Sequence, residues 1–140
     1  MPLKKKPLQK MLKEIKMTSS TKTNIIIEQS WRTICDKTDL VKDSGISALI
    51  ESSSGEDEQV AIFHIPSSEE EVFAVGNYDP IGKANVLYRG LVGCINDEPV
   101  VSSPLYKQHY SLKTGRCLQE DQSVVVYNIR IEDDQVQLFY

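Results

Sequence analysis

From Ile25 onward, apolar and polar positions alternate in the short runs of β-strands, broken by polar clusters. Ile25-Ile26-Ile27 and Trp31-Arg32-Thr33-Ile34-Cys35 are β-rich. Thr38-Asp39-Leu40 predicts a single helical turn, ended by Ser44-Gly45. A short strand follows over residues 46–50, and the polar run 52–57 reads as a hairpin loop. Residues 59–65 are apolar on both alternating faces, the mark of a strand covered on both sides. A polar turn over 66–71 leads to another strand over 72–75.

The pattern then changes. Residues 77–98 carry the breakers Pro80, Gly82, Gly90 and Gly93 among apolar residues, without a sustained period. Val86, Leu87, Leu91 and Val92 call for burial, so this is expected to be an ordered loop region, and loops of such length usually have a function. Strands resume over 99–102 and 109–112, and Thr114-Gly115 supplies a tight turn. Residues 124–132 alternate cleanly and predict one strand; Asp133-Asp134 is a turn, and 136–140 closes a final hairpin. About nine short strands with at most one short helical turn predict an all-β fold, an antiparallel β sandwich or open barrel.

Charge divides the chain. Residues 1–22 hold seven Lys and one Glu, a balance of +6, and the remainder carries −10, which together make the net charge of −4. The segment 1–24 reads as a basic, disordered extension and 25–140 as one domain. Leu8, Met11, Leu12 and Ile15 recur at helical spacing within the extension, and Met17-Thr18-Ser19-Ser20 has the look of a natural start. The acidic remainder argues against a nucleic-acid partner, whose phosphates demand a basic face. No apolar run approaches a membrane span, and the N-terminus lacks the apolar core of a secretory signal. The three cysteines, Cys35, Cys94 and Cys117, form no Cys-x-x-Cys pair; free thiols and a cytoplasmic location are the expectation, with Cys35 and Cys117 as core fillers and Cys94 more exposed.

Two segments carry a resemblance. Asn77-Tyr78-Asp79-Pro80-Ile81-Gly82 and Ser103-Pro104-Leu105-Tyr106, running on through His109 to Leu112-Lys113-Thr114-Gly115-Arg116-Cys117-Leu118, resemble the two ligand loops of a Rieske domain. In that register Asn77 and Asp79 stand where the first Cys and His would be, and Ser103 and Tyr106 where the second pair would be. A Rieske cluster takes two thiolates and two imidazoles. Oxygen and amide donors suit hard cations instead, so these four are vestigial ligand positions on this reading. With Gly82-Lys83-Ala84-Asn85-Val86-Leu87-Tyr88-Arg89-Gly90-Leu91-Val92-Gly93 between them, and with Trp31 to Cys35, Asp39-Leu40 and Ser44-Gly45 upstream, the chain is similar over roughly residues 28–140 to the small subunit of the assimilatory NAD(P)H-dependent nitrite reductase. The resemblance implies a Rieske-like fold without a redox centre. It also implies a large-subunit partner carrying FAD, siroheme and a 4Fe-4S cluster, where nitrite is reduced to ammonium.

No residue is expected to catalyse, bind a cofactor or hold a metal. There is no G-x-G-x-x-G, and Gly90-x-x-Gly93 lacks the strand–turn–helix context of a nucleotide site. The expected site is a partner-binding tip where the two loops meet: Tyr78, Asp79, Pro80, Ile81 and Lys83 beside Pro104, Leu105, Tyr106 and Lys107. Tyrosine suits interface centres, and Lys83 and Lys107 would set register on an acidic partner surface. The competing expectation is that the Tyr78 and Tyr106 rings plug the space a cluster would occupy. His64 reads as a core or edge histidine, and a Ser103–His109 pair lacks a visible acid. Glu69-Glu70-Glu71 reads as a solvated loop. The alternative function is a stand-alone Rieske-like interaction or regulatory module.

Overall fold

The computed structural model describes residues 28–52 and 54–140. The basic extension 1–24 and the Ile25-Ile26-Ile27 run lie outside the described residues. The element order is β1 (Trp31–Asp36), a 3-10 turn (Lys37–Asp39), β2 (Ser44–Glu51), β3 (Asp57–His64), β4 (Val72–Gly76), β5 (Tyr78–Asp79), β6 (Ala84–Asn85), a second 3-10 turn (Leu87–Arg89), β7 (Leu91–Ile95), β8 (Glu98–Ser102), β9 (His109–Ser111), β10 (Val126–Tyr127), β11 (Ile129–Glu132) and β12 (Gln135–Phe139). The strands pair in the orders β1-β12-β11, β10-β4-β3-β2, β5-β6 and β7-β8-β9, all antiparallel. The chain is all-β.

The alternation of β3 and β4 places the core. Ala61, Phe63, Phe73 and Val75 face one way and pack with Leu87, Val101, Tyr110, Leu112, Cys117 and Val124. Val60, Ile62, Val72 and Ala74 face the other way and pack with Ile50 and Leu138. Both faces of β3 and β4 are thus buried, as the unbroken apolar run of β3 implies. The partly buried Ile81, from the loop that follows β5, packs against the first of these clusters.

Four local expectations are corrected. Ser44-Gly45 does not end the helical turn; it opens β2, where Ser44 pairs with His64 and Gly45 with Phe63. The stretch 124–132 is not one strand: Val126 and Tyr127 pair with β4, whereas Ile129–Glu132 pairs with β12, so the chain changes sheets at Asn128. Residues 77–98 are more regular than a loop. They hold β5, β6, the second 3-10 turn and β7, and Asn96-Asp97, both at positive φ, form the tight β7–β8 hairpin. Leu87 is buried there, yet Leu91 is 75% exposed, because its neighbour Val92 is the β7 residue that packs on the core.

Candidate functional site

Each loop begins from a strand whose register is set by the core. Gly76 ends β4, and the Asn77 that follows is held on all sides: its amide nitrogen donates to the Gln59 carbonyl, its side-chain nitrogen to Gln59 Oε1 at 3.0 Å, and its Oδ1 accepts from the Tyr88 amide at 2.8 Å. Asn77 is therefore a buried brace between β3 and the second 3-10 turn. Across the tip, β8 ends at Ser102, and Ser103 opens the second loop.

The two loops are built alike. Asp79-Pro80-Ile81-Gly82-Lys83 and Ser103-Pro104-Leu105-Tyr106-Lys107 share a polar anchor, a proline, an aliphatic residue, a variable residue and a lysine. In each, the anchor's side-chain oxygen accepts the amide of the residue two on: Ile81 to Asp79 Oδ1 at 2.9 Å, and Leu105 to Ser103 Oγ at 3.2 Å. In each, the lysine amide closes the loop on the anchor's carbonyl, Lys83 on Asp79 at 2.7 Å and Lys107 on Ser103 at 3.1 Å. Both lysines sit at positive φ, 57° and 67°, a conformation unfavourable for a side chain of that type and held by the surrounding turn.

The anchors meet. Ser103 Oγ donates to Asp79 Oδ2 at 2.5 Å, and Tyr110 Oη, rising from the core, donates to Asp79 Oδ1 at 2.7 Å. Asp79 is fully buried. Burial by itself would raise its pKa, but the Ser103 and Tyr110 hydroxyls and the Gly82 and Ile81 amides outweigh that, and the carboxyl titrates below its ordinary value. Tyr110 is shifted upward, by burial first and by the Asp79 carboxylate second, so the phenol keeps the proton it donates. Gly82 permits the close approach: a Cβ there would lie 2.4 Å from Leu105 Cδ1 and 2.8 Å from Asp79 Oδ2.

The expected tip residues divide accordingly. Tyr78, Lys83, Pro104, Leu105, Tyr106 and Lys107 are exposed, and Pro80 and Ile81 are partly buried. Asp79 belongs to the interior and cannot touch a partner. The plug expectation is overturned, since Tyr78 and Tyr106 are 49% and 65% exposed and Tyr110 is the buried ring. Ser103 and His109 do not pair: Ser103 is spent on Asp79, and His109 Nδ1 lies 3.0 Å from the Gln119 amide nitrogen. His64 ends the interior strand β3, paired with Ser44 on one side and Val72 on the other, and its Nε2 lies 3.1 Å from Glu71 Oε2; Lys37 lies 3.5 Å from the same oxygen, so Glu71 is tied down rather than merely solvated. Cys117 is buried, Cys35 is partly buried and Cys94 is exposed. Sequence reasoning missed Tyr110, which was hidden inside a strand-like run, and missed the repeated pentapeptide, which was the available signal.

A family model described as a Rieske-like 2Fe-2S domain matches residues 30–139. The chain is 43% identical over 109 residues to the nitrite reductase (NADH) small subunit of Salmonella typhimurium, covering 77% of this chain and 95% of that one. It belongs to that family. The solved structure of the E. coli protein NirD matches with a TM-score of 0.69 at 38% identity, over 81% of this chain and 98% of the other. A nitrite reductase NAD(P)H large subunit from Klebsiella oxytoca is 38% identical over 107 residues, 76% of this chain but 10% of that longer one.

The cluster named in the family description does not fit these residues. A 2Fe-2S centre of this type requires thiolates and imidazoles, and the four loop positions offer an amide, a carboxylate, a hydroxyl and a phenol. All four are already committed or turned away: Asn77 braces the 3-10 turn, Asp79 and Ser103 bind each other, and Tyr106 faces solvent. Among the described residues no group of three or more His, Cys, Asp or Glu is arranged to hold a metal ion.

Proposed function

We propose that this chain is an accessory, non-catalytic small subunit of an NAD(P)H-dependent nitrite reductase and docks on the large subunit through its two-loop tip. The observation that carries the reading is the Klebsiella match. A segment similar to this chain lies within a protein named as the large subunit and accounts for a tenth of its length. A domain joined to the catalytic chain in one protein is expected to contact its counterpart when the two are separate.

Reduction of nitrite to ammonium needs cofactors that handle hydride and electrons. On this reading FAD, siroheme and a 4Fe-4S cluster belong to the large subunit, and the donor set of this chain supports no redox centre at its own tip. What its residues contribute is a surface. Tyr78, Pro80, Ile81, Lys83, Pro104, Leu105, Tyr106 and Lys107 put aromatic and aliphatic contact area beside two cations, a composition suited to a partner patch that is apolar at its centre and acidic at its rim. Its thiols are free, which suits a reducing cytoplasm.

The test is recovery of the tagged chain from its native source grown on nitrate, followed by a visible spectrum of the eluate. A large partner with siroheme and flavin bands is expected. A colourless chain alone would favour the stand-alone module, and an iron–sulfur spectrum from the chain itself would overturn the absence of a centre.

A further inference from the structure

Among the described residues, Asp79 is the one buried side chain that carries a charge, and it sits at the base of the tip. An acid taken out of water is strongly unfavourable unless its oxygens are occupied. Here both are occupied, by donors from three places: Ile81 from its own loop, Ser103 from the opposite loop, and Tyr110 from the core. A carboxylate needed only for the fold of one loop would have no use for the other two. Ser103 is doubly engaged in turn, donating to Asp79 and accepting from Leu105. The Leu105 side chain lies where a Cβ on Gly82 would stand. The exposed residues of the two loops are thus referred to one buried point.

We infer that the Asp79–Ser103–Tyr110 clasp is the positioning element of the tip, holding the Asp79–Lys83 and Ser103–Lys107 loops in a single register so that they meet a partner as one surface. The inference rests on the docking reading above for its functional half. In this chain one carboxylate accepts a hydrogen bond from its own loop, one from the opposite loop and one from the core strand beneath them. Asp79, Ser103 and Tyr110 act through the residues around them and touch no partner.

Two measurements test it, made on the full chain and on its complex with the nitrite reductase large subunit. The first is amide hydrogen exchange at residues 80–83 and 104–107 in Ser103→Ala. Faster exchange in both loops, with the amides of β3 unchanged, is expected. The second is affinity for the large subunit, expected to fall about tenfold, as the loss of one hydrogen bond to a charged group implies. Tyr110→Phe removes only the phenol oxygen and serves the same two readouts if Ser103→Ala does not fold. Unchanged exchange in the two loops overturns the clasp whatever the affinity. Loosened loops that bind as tightly as wild type overturn its positioning role. Lys83→Glu and Lys107→Glu separate the two ideas: if they weaken binding while the clasp variants do not, the clasp alone falls. If neither set weakens binding, the docking reading falls with it.

Discussion

Two tyrosines four residues apart have opposite environments. Tyr106 stands in solvent, and Tyr110 is fully buried with its hydroxyl on Asp79. Tyr106→Ala is therefore expected to leave the thermal midpoint near that of wild type. Tyr110→Phe, which leaves Asp79 Oδ1 with the Ile81 amide but without its hydroxyl donor, should lower stability by about 2 kcal/mol, measured by urea unfolding. Asp79 also makes a pH prediction. Its folded pKa is depressed, so its contribution to stability is fully present above the ordinary carboxylate value of about 4 and is lost as pH falls through the lower folded value. The stability gap between wild type and Asp79→Asn should be constant from neutral pH down to about 5 and should shrink below about 4. A gap that instead narrows near neutrality would place the carboxyl's pKa above, not below, its ordinary value. That Asn77, Asp79, Ser103 and Tyr106 offer neither thiolate nor imidazole is legible in the sequence, because it is a matter of residue identity. Which tyrosine would be buried was not, because Tyr106 and Tyr110 are alike in type and differ only in what packs over them.

At the scale of elements, the strands were legible wherever one local rule governs. The β11–β12 hairpin follows from Asp133-Asp134, both at positive φ, and the double-faced apolar run of β3 marks a strand buried on both sides. The change of sheets at Asn128 was not legible. Val126-Tyr127 and Ile129–Glu132 continue the same alternation, and only the separate partners β4 and β12 divide them. The turn after β9 has a sharper requirement. Gly115 adopts φ 78°, and a Cβ on it would lie 2.1 Å from the Val124 carbonyl oxygen. Gly115→Ala combines an unfavourable backbone conformation with a backbone clash. It should lower the urea midpoint by an amount equivalent to more than about 1 kcal/mol. An unchanged midpoint would show that the segment 115–124 shifts freely, contrary to the Val124–Gly115 amide hydrogen bond at 2.8 Å.

At the scale of the whole molecule, charge and surface shape act together. The chain is acidic overall at −4, yet its tip offers Lys83 and Lys107. Lys83→Glu and Lys107→Glu should slow association with the large subunit at low salt, and the difference from wild type should fade as ionic strength rises and screening shortens to about 8 Å near physiological salt. A loss of affinity that is independent of salt would assign the lysines a packing role instead. The sequence by itself determined the all-β class and the Asp133-Asp134 turn, because strand periodicity and turn stereochemistry are properties of neighbours in the chain. Tertiary structure alone decided that Asp79 would be buried against Ser103 and Tyr110, and that Tyr106 and Leu91 would face outward. Those outcomes depend on contacts between residues distant in sequence, and the low exposure that makes Asp79 a clasp exists only once both loops and the core are in place.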